Sequence, residues 1–123
     1  VTAAARNWQR AEGGLVLLAA LAALWSTGLP VPVWAAVLIF FAPDLSFAAY
    51  ALGPRIGAAG YNLVHLYGFG AAVLAAGLLF GLPWLSACGW LWLGHAGFDR
   101  MLGYGLKLPT GFQDTHLGRI GRS

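Results

Sequence analysis

Three ionisable residues lie within apolar sequence, where charge is costly: Asp44, directly after Pro43, then His65 and His95. Near a bilayer centre such a group costs roughly 2.5–3.5 kcal/mol on insertion scales, so each calls for a partner or a purpose. Asp99 follows His95 by four residues and Asn62 precedes His65 by three, spacings that place each pair on one helix face. Carboxylate oxygens and imidazole nitrogens form the donor set for zinc or another divalent first-row ion. Helical bundles build such sites from inward-facing side chains on neighbouring helices. The expected metal ligands are therefore Asp44, His65, His95 and Asp99. Asn62 is expected behind them, with Arg100 or Lys107 holding an anionic headgroup and His116 either reaching back from the tail or lying in solvent.

A plainer reading competes with this one. Asp44 would cap a helix resumed after Pro43, His65 would tie to it as an interhelical hydrogen bond, and Asp99 would pair with Arg100 or Lys107. Such intramembrane hydrogen bonds average only about 0.6 kcal/mol. A proton relay or a pigment site is a third reading. Haem held between His65 and His95 is disfavoured, because their expected depths differ by about one turn, about 5 Å. A single-histidine pigment ligand, as for a chlorin, stays open. Cys88, alone in an apolar run, forms no internal disulfide and reads as a small buried filler.

The elements that must position these residues follow from the distribution of charge. The chain has 123 residues, 59% hydrophobic and 9% charged, where a soluble domain carries about 25% charged residues. That excludes a water-soluble globule, a disordered tail and a nucleic-acid module. Residues 13–43 and 56–98 carry no Asp, Glu, Lys or Arg. A membrane-spanning helix needs about 20 apolar residues, so each run has room for more than one crossing. The expectation is an all-α integral membrane bundle of four transmembrane helices, about 13–28, 33–52, 57–80 and 84–98, forming a domain over residues 1–100. Pro30, Pro32, Gly53-Pro54 and Gly81-Leu82-Pro83 punctuate it. The first segment also fits a secretory signal peptide, but is expected to be retained as a helix.

Orientation follows from the positive-inside rule. With four crossings and both termini cytoplasmic, all seven basic residues, Arg6, Arg10, Arg55, Arg100, Lys107, Arg119 and Arg122, face inward. A re-entrant second segment would instead put Arg55 and the four C-terminal basic residues outside. Helix directions then place Asp44 and His65 each about 12 Å from the inner end of its helix, with His95 about one turn from the inner surface and Asp99 at the boundary. The ionisable groups thus converge in the cytoplasmic half. Residues 101–123, rich in glycine and broken by Pro109, read as a cytoplasmic interfacial tail. Gly53/Gly57, Gly77/Gly81, Ala19/Ala23 and Ala72/Ala76 offer small faces for close helix approach. Trp8, Trp25, Trp34 and Trp84 fall at helix ends, where indoles suit the headgroup level, while Trp90 and Trp92 face lipid or another helix.

The stretches APDLSFAAYALGPRIGAAGYNLVHLYGFG, Ala42 to Gly70, and GHAGFDRMLGYGLKLPTGFQDTHLG, Gly94 to Gly118, resemble a family of small bacterial integral membrane proteins catalogued as domain of unknown function 4260. The resemblance covers the whole expected bundle. It implies about four transmembrane helices in the bacterial cytoplasmic membrane, no established activity, and family-typical polar positions at Asp44, Asn62, His65, His95, Asp99, Arg100, Lys107, Thr115 and His116. The chain departs from the family in having Gly68-Phe69-Gly70 where a proline often follows the Tyr67 position.

Three functions are compatible with this reading. The metal group could polarise water for hydrolysis of a lipid or phosphoester. Alternatively the chain is a non-catalytic accessory subunit of a larger respiratory or photosynthetic membrane complex, touching lipid or pigment. A transporter or channel would require oligomerisation, since four helices rarely enclose a pore. The lipid bilayer is the expected partner in every case, and nucleic acid in none.

Overall fold

The computed structural model describes residues 1–121, so Arg122, assigned to the inner face, lies outside the described residues. Among these the architecture is all-helical: α1 (Ala3–Thr27), α2 (Val33–Phe41), a 3-10 helix (Ala42–Leu52), α3 (Pro54–His65), α4 (Tyr67–Leu79) and α5 (Pro83–Met101). α5 is the central element, with α1 and α4 packed along it, α2 touching it, and the 3-10 helix lying on α3.

Helix α1 begins ten residues before the expected start at Gly13. Thr2 caps it by accepting the Ala5 N–H at 3.1 Å. Its first turns are held by the tail: Arg6 donates through Nε to the Leu117 carbonyl at 2.7 Å and Arg10 to that of Met101 at 2.9 Å. Gly13, read as the helix start, is instead where α1 and α5 approach most closely. A Cβ built on Gly97 would lie 2.6 Å from the Gly13 carbonyl oxygen, so only glycine permits this crossing.

The second expected helix changes its winding at Pro43. Proline cannot donate to the carbonyl of Ile39, four residues earlier. That oxygen accepts instead from the Ala42 N–H, in a tighter turn, and from the Trp92 indole Nε1 at 2.7 Å. The chain continues as 3-10 helix through Leu52. Trp92 is thus an interhelical tie rather than a lipid-facing ring.

The third expected helix, 57–80, is two helices meeting at 48°. Leu66 between them is extended, at φ −72° and ψ 141°. The Phe69 N–H turns back to Leu66, and Arg100 donates through Nη2 to the freed His65 carbonyl at 3.1 Å. The break occurs without a proline in the chain around it.

Val33–Leu52 is long and apolar enough to cross a membrane, and α3 with α4 would make a second span if the bent pair counts as one. The four crossings expected from the sequence are therefore one or two by length and apolarity among the described residues. Arg6, Arg10 and Glu12 at one end of α1, and His95, Asp99 and Arg100 in α5, interrupt the apolar character of the other two long helices.

Candidate metal centre

Two of the discontinuities in the helices each supply a side chain to one cluster, and α5 supplies two more. Asp44 follows the proline at which the winding tightens, His65 is the last residue of α3, and His95 and Asp99 stand one turn apart on α5. Their donor atoms converge. His65 Nε2 lies 3.2 Å from Asp44 Oδ1 and 3.3 Å from Asp99 Oδ2, and His95 Nε2 lies 3.1 Å and 3.3 Å from the same oxygens. The two Nε2 atoms are 3.2 Å apart, which leaves no room for a macrocycle between the rings. Both histidines are fully buried, Asp99 nearly so, and Asp44 is the most exposed of the four, its side chain 36% accessible.

The surroundings fix the orientation of the rings. His65 Nδ1 meets the Tyr61 carbonyl at 2.8 Å. A carbonyl only accepts, so Nδ1 carries a proton, and in the neutral ring Nε2 turns a lone pair toward the cluster. Tyr61 stacks on the His65 ring with centroids 3.7 Å apart, Phe47 stacks on Tyr61 at 5.4 Å, and the Tyr61 hydroxyl donates to Asp99 Oδ2 at 3.3 Å. Phe40 packs edge-on against His95 with centroids at 5.3 Å. His95 Nδ1 is buried with no hydrogen-bond partner among the described residues.

A group of two imidazoles and two carboxylates that could hold a metal ion is therefore present in the fold. Asp44 does not cap a helix, since the 3-10 helix has no side-chain cap. Asp99 forms no ion pair with Arg100 or Lys107 among the described residues; it faces the histidines and Tyr61.

The residues expected around the four are placed differently. Asn62 grips the backbone of Lys107, donating to its carbonyl at 2.8 Å and accepting its N–H at 2.6 Å, and so docks the tail rather than supporting a ligand. Buried Arg100 is turned to the carbonyls of His65 and Tyr104 rather than to a headgroup. His116 neither reaches the cluster nor lies in solvent: its Nδ1 accepts the Leu106 N–H at 2.8 Å within the tail. Burial first, then the charge of Arg100, pushes the His116 imidazole below its ordinary pKa. Asp114 is held below the usual carboxylate range, first by the Thr110 hydroxyl and also by Arg119 at 2.6 Å.

Lys107 is the exception. It is only 4% exposed, with its ammonium 3.9 Å from the Phe112 ring centroid and 5.0 Å from that of Tyr61. Burial lowers its pKa, opposed by the charges of Asp99 and Asp44. It lines a cavity of about 270 Å³ together with Asp44, Asp99, Tyr61, Phe47 and Phe112. Sequence reasoning missed the aromatic walls of this cavity. Tyr61, four residues before His65 on the same helix face, was legible by spacing; Phe47 and Phe112 carried no such signal.

The model of a family described as Domain of unknown function (DUF4260) matches residues 6–120. No curated protein and no solved structure matches the chain at a significant level.

Proposed function

The chain belongs to the DUF4260 family, and we propose that it is a membrane-embedded metalloprotein binding one divalent first-row ion, zinc fitting best, through Asp44, His65, His95 and Asp99. One observation carries this reading. Four donors at about 2.0–2.1 Å from a common ion in a tetrahedron stand about 3.3–3.4 Å from one another; five of the six donor separations here are 3.1–3.3 Å, and the two carboxylate oxygens lie within 4.8 Å of each other. Two carboxylates and two neutral imidazoles balance a doubly charged ion, which removes the repulsion between Asp44 and Asp99.

The membrane setting is supported by the surface. Val33–Leu52 is only 11% buried over its most apolar portion, and Leu38, Leu45, Leu52, Leu78, Leu79 and Phe80 are each more than 60% exposed. Apolar surface on this scale calls for lipid or protein cover. The contacts of Arg6 with Leu117 and of Arg10 with Met101 put both chain ends at one end of the molecule. This suits an even number of crossings with the basic residues toward the cytoplasm.

The reaction class that fits is metal-assisted hydrolysis of a lipid or phosphoester. Asp44, the most exposed ligand, sits where the cavity meets the cluster. Hydrolysis needs an open position on the ion, and were Asp44 to give way to water there, that water would have its pKa lowered from about 15.7 toward about 7. The uncovered apolar faces also suit a second reading, an accessory subunit seated against a larger membrane complex. Elemental analysis of protein purified in mild detergent tests the metal centre. One zinc or similar ion per chain, lost in Asp44→Ala and His65→Ala, is expected; absence of stoichiometric metal removes the proposal.

A further inference from the structure

We propose that the cavity between the metal group and the C-terminal tail is a binding site for a phosphoryl oxyanion, held by the Lys107 ammonium beside the ion. The inference rests on the metal reading and assigns the class of ligand to that centre.

Lys107 is unusual for a buried lysine. No carboxylate lies within ion-pair distance of it among the described residues, and its neighbours are the faces of Phe112 and Tyr61. Lysine is rarely buried without a partner. Its position is enforced: Asn62 holds both backbone polar groups of Lys107, and the backbone pairs with Thr115 across a bridge. The tail is thereby built to carry Lys107 to the wall of the cavity that Asp44 and Asp99 also line.

Charge decides the sign of the ligand. With a divalent ion bound, Asp44 and Asp99 are balanced, and Lys107 leaves one uncompensated positive charge on a cavity otherwise walled by aromatic rings. Such a site attracts an anion, and lysine with a metal ion is a common pairing for phosphate. The cavity's size, about 270 Å³, and its walls of Phe47, Phe112 and Ile120 suit a phosphoryl group carrying an apolar stem. The phosphoryl chemistry is common to free phosphate and to a phosphomonoester lipid headgroup.

The test uses the full chain loaded with Co²⁺ in detergent, titrated with inorganic phosphate, and in phosphatidylcholine bicelles doped with phosphatidic acid. The readout is ³¹P relaxation, which the paramagnetic ion enhances only for phosphorus bound beside it. Saturable enhancement is expected, weakened by roughly tenfold or more in Lys107→Met with cobalt content unchanged. Saturation by inorganic phosphate supports a free oxyanion; saturation by phosphatidic acid alone supports a headgroup. If cobalt binds and neither ligand responds, or Lys107→Met responds like the parent, this inference falls and the metal centre stands. If cobalt does not bind, both fall. Should Lys107→Met fail to fold, acylation of Lys107 in the unaltered protein, mapped by mass spectrometry, provides the second measurement: protection by the same ligand is expected, and an unchanged rate overturns the proposal.

Discussion

The Nε2 atoms of His65 and His95 lie 3.2 Å apart across 30 residues of sequence, and each is also within 3.3 Å of carboxylate oxygens from Asp44 and Asp99. In its neutral form His65 presents a lone pair there, because its Nδ1 is committed to the Tyr61 carbonyl. Something positive must occupy the centre, either a metal ion or a proton on one of the two Nε2 atoms.

These alternatives differ spectroscopically. Cobalt-loaded protein is expected to show the intense visible absorption of a four-coordinate ion, with the band lost in Asp99→Asn or His95→Gln. A proton-centred cluster would give no visible band, while nitrogen NMR would report a protonated Nε2 on His65 or His95.

Metal removal is expected to loosen the whole fold, because the ligands come from three separate helical elements. A ligand that binds only the folded state at a hundredfold excess over its Kd adds about 2.7 kcal/mol. Thermal unfolding in detergent, with and without a chelator, measures this. An unchanged Tm in a protein shown to hold metal would mean that the site also binds the unfolded chain.

The α1–α5 crossing makes a sharp prediction about glycine. Gly97→Ala brings a methyl group within 2.6 Å of the Gly13 carbonyl oxygen, so the helices must separate. A loss of about 1–3 kcal/mol is expected. Gly68→Ala, at a position with open space around it, is expected to stay within about 0.5 kcal/mol of the parent.

Trp92→Phe keeps an aromatic ring but removes the donor to the Ile39 carbonyl, which Pro43 cannot replace. A cost of about 1 kcal/mol is expected, with faster amide exchange around Phe40 and Phe41. Equal stability and exchange would show that the Ala42 N–H alone satisfies that oxygen.

The His116 contribution to stability has a defined direction. Its folded pKa lies below the ordinary 6.5, so the folded state takes up a proton less readily than the unfolded one. The contribution is fully present above about 6.5, falls as pH drops from there to the folded pKa, and is level below that. His116→Asn offers Oδ1 to the Leu106 N–H and does not titrate. Relative to this variant, the parent is expected to lose stability on acidification below about pH 6.5; parallel curves would contradict the assignment.

The sequence by itself determined the all-helical character and the identity of the four clustered residues. Long uncharged runs punctuated by proline and glycine point to apolar helices, and an acid or imidazole within such a run stands out because its burial is costly. Spacing on one helix, as for His95 and Asp99, is fixed by helix geometry alone. Tertiary structure alone decided the rest. Nothing in Leu66 or its neighbours marks a helix break, because the break is sustained by Arg100, 35 residues from the carbonyl it binds. The roles of Trp92 at Ile39 and of Asn62 at Lys107 are likewise side-chain bonds to distant backbone groups. A backbone carbonyl or N–H is the same in every residue but proline, so a partner that seeks one leaves no trace at the position it binds.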